Sequence, residues 1–414
     1  MMKLLQQNIE FWGENIPWLS ALREKGRMAF AYSGVPQKKD EAWKYSYFAE
    51  KSLDNPQIDI TPHICDGHCD EQDILPFDCY QVKYCNGKVT HIDNKIPDNI
   101  IVKPLYAAVA DNDVKKYLNK SFTMENFPFA ALNTAFLDEG LFIAITSGTI
   151  LDKPLYIHYH QHANNNRLCN IRNIVVAEKD SMATLIEHFD SDDNAQYFNN
   201  VVNEFYLHQN SKIERYKLQK EAVLAHHICL NSVQVKSGAQ YKSFCANGEC
   251  MLSREESYIN LLQERAEAEV NGIYLLKQKG VSDITTNIRH MAPHTFSQQL
   301  VKGVIEGKAK GVFQGQIHIA PNAQQTEGYQ RHNALLLSDD AEVDCKPELE
   351  IFADDVKCSH GSTCGDINAE QLFYMQSRGI PAEKARKILI DAYLEEVLHK
   401  VSATEIFAWL KSVF

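Results

Sequence analysis

A thiol and an imidazole lie two residues apart in the segment ADDVKCSHGST, residues 353–363, as Cys358 and His360. In an extended chain the side chains alternate between two faces, so both groups project to the same side. Such a pair can act as a nucleophile with its general base, or as two ligands for a soft metal ion. The alternative is structural: a half-buried cysteine beside a hydrogen-bonded histidine where a strand ends. The segment alone leaves these interpretations open.

Other histidines and cysteines occur in patterns that could also bind metal. Cys364 extends the first pair to Cys-x-His-x3-Cys, which is not a standard zinc spacing. The run YIHYHQH places His158, His160 and His162 on one face of a predicted strand, as chelating ligands or as a solvated polar surface. A loop-rich segment contains weaker candidates for a structural metal site: Cys65, His68, Cys69, Cys79 and Cys85.

The familiar phosphate-binding and hydrolase motifs are missing from the sequence. There is no Gly-x4-Gly-Lys-Ser/Thr phosphate loop, which excludes nucleotide hydrolysis by that device. Gly-x-Gly-x-x-Gly, Gly-x-Ser-x-Gly and His-Glu-x-x-His are also absent. No motif therefore assembles a recognisable active site without help from other residues.

The composition is typical of a soluble globular protein, with 414 residues, 44% hydrophobic and 23% charged. A formal net charge of −12 argues against nucleic-acid binding, which needs clustered Lys and Arg to neutralise phosphates. The sequence has no signal-peptide core and no apolar run long enough to span a bilayer. Eleven cysteines, an odd number in a large chain, do not resemble a secreted disulfide framework. We therefore predict a cytoplasmic protein with free thiols.

Most of the chain alternates as β-strands do. Between about residues 100 and 365, apolar and polar positions alternate in short runs separated by irregular turns, with almost no helical periodicity. The stacked coils of a β-solenoid fit this pattern better than a sandwich, although no strict repeat period is visible. Upstream, Asn86-Gly87 predicts a two-residue hairpin turn inside YQVKYCNGKVTHID.

Helical periodicity marks both ends of the chain. In the tail, Asn368 with Gln371 predicts a capped helix start, Gly379 its end, and Pro381 the first turn of the next helix. Apolar residues at helical spacing near the N-terminus are Ile9, Trp12, Ile16, Leu19 and Leu22. An apolar stripe on the last predicted helix must cover a surface of this chain or of a partner: Ala385, Leu389, Tyr393, Val397 and Val401, with Ile388 and Ala392 beside it.

Three stretches resemble the SufB/SufD family of the SUF iron–sulfur cluster assembly system. Residues 323–398 carry the LLLS, Pro-x-Leu-Glu and QLFY…RGI landmarks, residues 287–319 continue the similarity, and DEAWKYSYF at 40–48 resembles the N-terminal segment. The Lys-Cys-Ser-His-Gly form at 357–361 resembles the SufD branch, because SufB typically has Glu-His-Glu-Ala at the last four of these positions.

The resemblance implies a mainly β fold, a right-handed parallel β-helix with helical parts at both ends. In this chain the parts are an N-terminal helical and loop region (1–100), a β-helix core (101–365) and a C-terminal helical domain (366–414). The resemblance further implies pairing with SufB through the β-helices and docking of the SufC ATPase on the C-terminal helical domain. The isolated chain could also form a homodimer. A partner that hydrolyses ATP accounts for the missing phosphate loop.

The resemblance also implies a nascent iron–sulfur cluster, transient and shared with SufB, at the interface of the two subunits. SufB supplies an essential thiol and the SufD branch a histidine, which is His360 here, with Cys358 as a neighbouring candidate. His332 aligns with a position where SufB usually has cysteine. Cys364 stands where members more usually have an aliphatic residue, so it is either an extra ligand or a small hydrophobe, and we favour the second interpretation. Mixed thiolate and imidazole ligation holds iron less firmly than four thiolates, which suits a scaffold that releases its product.

Three hypotheses for the function follow. The first is a non-catalytic scaffold subunit, the second a thiol-dependent transferase or hydrolase that uses Cys358 and His360, and the third a structural solenoid adaptor without a metal role. The tail landmarks and the missing phosphate loop favour the first. An enzyme should also show an orienting Asn or Asp and oxyanion donors, and none can be assigned.

Overall fold

The computed structural model describes residues 11–46, 75–110, 112–162 and 167–413. Its strands are β1 Tyr80–Cys85, β2 Lys88–Ile92, β3 Ile100–Pro104, β4 Leu141–Ile145, β5 Leu155–Gln161, β6 Arg167–Ala177, β7 Met182–Ser191, β8 Tyr197–Leu207, β9 Lys212–Lys220, β10 His226–Val235, β11 Gln240–Asn247, β12 Leu252–Leu261, β13 Glu267–Leu276, β14 Val281–His290, β15 Phe296–Ile305, β16 Lys310–Ile319, β17 Thr326–Leu336, β18 Glu342–Ile351 and β19 Val356–Gly365. Its α-helices are α1 Pro17–Ser33, α2 Leu105–Ala108, α3 Asn112–Tyr117, α4 Pro128–Ala135, α5 Ala369–Ser377, α6 Ala382–Leu398 and α7 Thr404–Val413, with 3₁₀ turns at Glu41–Trp43 and Met124–Asn126.

The strands form a parallel β-solenoid, which confirms the predicted mainly β fold. From β4 to β19, consecutive strands alternate between two sheets, so that each coil of the chain contributes one strand to each sheet. The odd-numbered strands from β5 to β19, together with β1 and β2, make a ten-stranded sheet. The even-numbered strands from β4 to β18, together with β3, make a nine-stranded sheet. The division at residues 100 and 365 remains a prediction, and strands already begin at Tyr80.

Variable coil length hides the repeat from the sequence. Gln240 lies beside Glu267 of the next coil, whereas Phe296 lies beside Glu327 of the next coil. The numbers of residues in these two coils therefore differ by several. The predicted hairpin is confirmed: β1 and β2 pair antiparallel across Asn86 and Gly87, both in the left-handed region at φ 49° and 81°.

The inside of the solenoid is apolar and aromatic near its first coils. Tyr84, Tyr159 and Phe189 stack in sequence, with ring centroids 4.5 and 4.2 Å apart. Each comes from the same position of successive coils, because β1 pairs with β5 and β5 with β7. Stacking like side chains in this way lets a coil bury its inner face only against its neighbours.

Further along, the inside holds buried charges that the sequence did not predict. The Arg215 guanidinium contacts Glu187 at 2.5 Å and Glu255 at 2.8 Å, and the Lys217 ammonium contacts Glu255 at 2.7 Å. Burial works to raise the pKa of Glu255, but the attraction of Lys217 and Arg215 outweighs it and lowers the pKa to about 2. Glu255 is therefore a carboxylate held between two cations inside the protein.

Helices cover the outer faces of both sheets. On the nine-stranded sheet, Phe30 of α1 and Phe129 of α4 pack with Phe198 of β8, and Gly26 approaches the backbone of α4 so closely that a Cβ would lie 2.6 Å from the Ala135 nitrogen. Helix α1 begins at Pro17, so Trp12 and Ile16 precede it and the helix predicted from the apolar spacing is too long. Ile9 lies outside the described residues.

The C-terminal helices cover the ten-stranded sheet. Val397 of α6 and Trp409 of α7 pack in one cluster with Tyr156 of β5. The predicted helix start is confirmed, since the Asn368 side chain accepts hydrogen bonds from two backbone N–H groups of α5, and Gly379 ends that segment at φ 84°.

The residues of the predicted apolar stripe are buried to different degrees. Ala385, Val397 and Val401 are buried, Leu389 and Tyr393 are half-buried, and Ile388 and Ala392 are exposed.

Among the described residues, no helix combines the length and the apolar character needed to cross a bilayer.

Candidate functional site

Among the described residues, the last coil, formed by β18 and β19, leaves one end of the solenoid uncovered, and we call it the open end. Strands β18 and β19 are the terminal strands of the two sheets, and no described residue continues either sheet beyond them. Strand β19 is exposed along most of its length, whereas in β17, one coil below, every second position is buried and most of the others are half-buried. Positions that are buried in the preceding coil are therefore accessible in the last one.

The register shows which side chains face the open end. Cys358 pairs with Gly328 and His360 with Gln330, and both partners belong to the buried, inward-facing row of β17. Because side chains alternate along a strand, Cys358 and His360 lie on the same inward-facing row of β19. The predicted shared face is confirmed.

The two residues differ in their surroundings. Cys358 is half-buried against the cluster that contains Ile317 and Ile319, and burial raises the pKa of its thiol. His360 is exposed, and within the described part of the chain it makes no hydrogen bond or ion pair. Because Cys358 and His360 do not hydrogen-bond, they lack the contact by which a general base activates a thiol nucleophile. This geometry does not support the transferase or hydrolase hypothesis.

Two more cysteines face the open end. Cys364 belongs to the same inward-facing row of β19 and pairs with Ala334, and Cys345 belongs to the inward-facing row of β18 and pairs with Phe313. Cys364 is exposed and Cys345 is half-buried, and burial raises the pKa of the Cys345 thiol. Cys345 was missed in the sequence because it stands alone in DAEVDCKPELE, and only the pairing of coils brings it to this end.

His332 lies one coil below and is not accessible. Its ring stacks on Phe313 with centroids 5.0 Å apart, and its Nε2 lies 2.9 Å from the Tyr274 hydroxyl. Burial lowers the pKa of His332 to about 4, so the ring is neutral at physiological pH. Its Nδ1 lies 3.5 Å from the hydroxyl of Ser362, which belongs to the exposed row of β19.

The open end is not a complete metal site in this chain. Among the described residues, Cys358, His360 and Cys364 do not form a group whose ligand atoms all lie within 4.8 Å of one another. They do present sulfur and nitrogen donors on one accessible surface. Such a surface can bind a metal only if further ligands come from outside or if the side chains move together.

The three histidines of YIHYHQH lie far from this end, on the outer face of β5. His158 Nε2 and His160 Nδ1 lie 2.9 and 2.7 Å from Oδ1 of Asp190 on the adjacent strand β7. His160 Nε2 and His162 Nδ1 each lie 3.5 Å from a carboxylate oxygen of Asp192. The predicted common face is confirmed, and the carboxylates beside it were not foreseen.

The cysteine-rich segment is only partly visible. Cys65, His68 and Cys69 lie outside the described residues. Cys85 is disulfide-bonded, so the prediction that the thiols are free is wrong at this residue. The basis of that prediction, an odd number of scattered cysteines, cannot exclude an individual disulfide bond.

Helix α5 is the most exposed element of the C-terminal region. It has no buried residue, and Phe373 and Tyr374 are 72% and 60% exposed. A groove of about 850 Å³ runs between α5 and α6, lined by Tyr374, Met375 and Leu389 among others. Aromatic side chains exposed to this degree are typical of interaction surfaces.

Two family models match most of this chain. Residues 159–393 match the SUF system FeS cluster assembly SufBD core domain, and residues 2–157 match the SufBD protein N-terminal region. An iron–sulfur cluster assembly SufBD family protein of Synechocystis is 29% identical over 89% of this chain and 84% of its own length. The iron–sulfur cluster assembly protein SufD of Escherichia coli is 29% identical, over 88% and 85% respectively.

A chloroplastic protein of Arabidopsis thaliana, ABCI7, is 30% identical over 67% of this chain and 60% of its own length. The two family matches together span most of the chain, from the N-terminal region to helix α6. This chain therefore belongs to the SufBD family of iron–sulfur cluster assembly proteins and is a homologue of SufD.

Proposed function

We propose that this chain is a non-catalytic scaffold subunit that pairs with SufB at the open end of its solenoid and contributes His360 to a nascent iron–sulfur cluster. The observation that carries the proposal is the inward-facing row of the last coil, on which His360 and Cys364 are exposed and Cys358 is half-buried, and whose donors do not complete a ligand set among the described residues. The cluster is the cargo of such a scaffold, held only until it is handed on.

The ligand chemistry supports a shared and reversible site. Iron in clusters prefers thiolate and accepts imidazole, so His360 with one or two sulfurs is a weak partial ligand set. Burial raises the pKa of Cys358, so its thiol must lose a proton before it can bind iron, which weakens the site further at neutral pH. A partner that supplies the remaining thiolate would complete the site, and its separation would release the cluster.

The surface around these ligands supports pairing through the same end. Leu349 and Ile351 stand on the inward-facing row of β18, and Ile351 and Phe352 are 40% and 61% exposed. The outer edges of β18 and β19 also leave backbone N–H and C=O groups without a neighbouring strand among the described residues. A second solenoid could extend both sheets and cover this apolar row, as SufB or as a second copy of this chain.

Anaerobic co-expression with SufB and SufC tests the proposed function. We expect a complex that contains all three proteins and acquires iron and sulfide, measured by size-exclusion chromatography, metal analysis and visible spectroscopy. A chain that assembles with neither partner, or a complex without iron and sulfide, would contradict the proposal. Selective turnover of an ester or thioester by the isolated chain would favour the hydrolase hypothesis instead.

Replacing Ile351 by lysine should weaken pairing with SufB. The substitution puts a charge in the apolar row at the interface, and removing an ammonium from water without a partner is costly. Because Ile351 is already partly exposed, we expect no change in the melting temperature of the isolated chain. Affinity for SufB, measured by biolayer interferometry, should fall at least about ten-fold, the size of effect typical of an interface hot spot. Unchanged affinity would place the pairing surface elsewhere.

We further propose that SufC docks on helix α5. Deleting residues 366–414 would not be a clean test, because α6 and α7 pack against the ten-stranded sheet and their removal would expose its apolar outer face. Helix α5 contributes nothing to that core and presents its aromatic side chains to solvent. Point variants on α5 therefore separate docking from folding.

The double variant Phe373→Ala/Tyr374→Ala should lose most SufC binding without loss of stability. In the isolated chain both side chains are exposed, so truncating them leaves no cavity. In the complex they would be buried aromatic anchors, which each contribute about 2 kcal/mol or more to binding. The measurement is co-purification of SufC together with the thermal melting curve. As a matched control, Tyr32→Ala removes an aromatic that is 92% exposed on α1. Retention of SufC by the α5 variant would argue for another docking surface.

A further inference from the structure

A cluster of imidazoles and carboxylates lies on the outer face of the solenoid, among its first coils and away from the open end. His158, His160 and His162 come from β5, and Asp190 and Asp192 from β7 and the turn after it. These strands are direct neighbours, with His158 beside His188 and His160 beside Asp190. In the ten-stranded sheet, β9 to β17 separate them from β19, so this cluster is distinct from the proposed cluster-assembly site.

We propose that His158, His160 and Asp190 form a binding site for a divalent transition-metal ion. Their three ligand atoms, two imidazole nitrogens and a carboxylate oxygen, lie within 4.8 Å of one another. The two N···O separations are 2.9 and 2.7 Å. Ligand atoms around a tetrahedral zinc ion lie about 3.3 Å apart at bond lengths near 2.0–2.1 Å. Small side-chain shifts would therefore open the cluster enough to admit an ion.

The surroundings hold these ligands in place. The ring of His158 stacks on that of His188, with centroids 5.0 Å apart and planes at 13°. His188 is fixed in turn, because its Nδ1 lies 2.7 Å from the Tyr156 hydroxyl. His158, His160 and Asp190 stand on two directly paired strands, and ligands on paired strands keep their spacing better than ligands on loops.

Asp192 lies behind His160 and can orient its ring. When His160 binds a metal through Nδ1, its other nitrogen must carry the proton, and this Nε2 lies 3.5 Å from Asp192. A carboxylate that accepts a hydrogen bond from this N–H fixes the tautomer and raises the basicity of the ligating nitrogen. His162 faces the other oxygen of Asp192 at 3.5 Å and so provides a second imidazole within reach of the same carboxylate.

The donor set selects the class of ion. Two imidazoles and one carboxylate suit Zn²⁺, Fe²⁺ and Co²⁺, whereas Mg²⁺ and Ca²⁺ prefer oxygen ligands alone. The group contains no thiolate, so it does not match the ligation of an iron–sulfur cluster. The lysines Lys83 and Lys220 stand beside His158 and Asp190 on the flanking strands, so we expect a site weaker than a four-ligand structural zinc site.

Cobalt titration of the tag-free, chelator-treated full chain tests the proposal. We expect one equivalent of Co²⁺ to produce visible d–d absorption without the near-ultraviolet thiolate charge-transfer band, and Zn²⁺ to displace it. The variant His160→Ala removes the imidazole that contacts both Asp190 and Asp192. Its affinity for Co²⁺ should fall by more than 10- to 100-fold, which is the loss expected when only a residue that hydrogen-bonds a metal ligand is removed. Asp190→Asn, which preserves the shape of the side chain, should have a similar effect and covers the case that His160→Ala folds poorly.

A matched control makes the result specific. His318→Ala removes a histidine that also lies at hydrogen-bond distance from a carboxylate, 3.1 Å from Glu350, but belongs to no three-ligand group among the described residues. This variant should bind Co²⁺ as the unmodified chain does. Absence of binding by the unmodified chain, or an unchanged titration of both His160→Ala and Asp190→Asn, would overturn the proposal, and neither result would affect the proposed role of His360.

Discussion

Replacing His360 by alanine should abolish cluster assembly by the complex with SufB and SufC while leaving folding and complex formation intact. His360 is exposed and makes no hydrogen bond or ion pair in the described part of the chain, so its ring adds little to stability. Its contribution would arise only when iron occupies the interface. We expect at least a ten-fold loss of iron and sulfide in the anaerobically reconstituted complex, with an unchanged circular dichroism spectrum and unchanged co-purification.

A conservative variant separates ligation from mere surface shape. His360→Cys restores a donor that iron prefers to imidazole, so assembly should recover, but transfer of the cluster to an acceptor protein should slow. His318→Ala is the matched negative control, because His318 is a half-buried histidine of the same solenoid whose side chain lies on the outer face of β16, not on the inward-facing row. Full cluster yield from His360→Ala would remove the assignment of His360, whatever the behaviour of the cysteine variant.

The sequence predicted the class of fold because the alternation of apolar and polar residues survives in almost every coil. It did not show, for every strand, which of the two alternating sets of side chains faces the inside of the solenoid. In KIERYKLQK, residues 212–220, Arg215 and Lys217 point inward and pair with carboxylates, while Tyr216 and Leu218 face outward beneath the C-terminal helices. Both faces of such a strand are buried, so hydrophobicity alone cannot distinguish inside from outside.

The candidate site was only half visible in the sequence for a related reason. Cys358 and His360 are neighbours in one strand, and their shared face follows from strand geometry. Cys345 belongs to another strand, and its approach to the same end depends on coil lengths that vary along the solenoid. The exposure of the row could not be predicted either, because it depends on the absence of a further coil among the described residues rather than on any residue in β19.

Replacing Glu255 by alanine should destabilise the protein more than any surface substitution. Glu255 is buried inside the solenoid, where it pairs with both Arg215 and Lys217 and accepts a hydrogen bond from Asn231 at 2.6 Å. Arg215 would keep its second partner, Glu187, but Lys217 would lose its only ion pair among the described residues. An uncompensated buried charge of this kind costs about 3–5 kcal/mol. Urea and thermal unfolding of the purified chain would measure the loss.

The pH dependence and two further variants identify the cause of that loss. Glu255 has a pKa lowered to about 2, so its stabilising contribution is complete above the unfolded value of about 4.3 and disappears as the pH falls through about 2. The stability difference between the unmodified chain and Glu255→Ala should therefore shrink on acidification below pH 4.3.

Adding Lys217→Met to Glu255→Ala removes the unpaired buried charge and should restore part of the stability. Glu327→Ala breaks an exposed pair with Lys357 and should change nothing measurable. Equal losses from the buried and the exposed variant would mean that the charges inside the solenoid are not what holds these coils together.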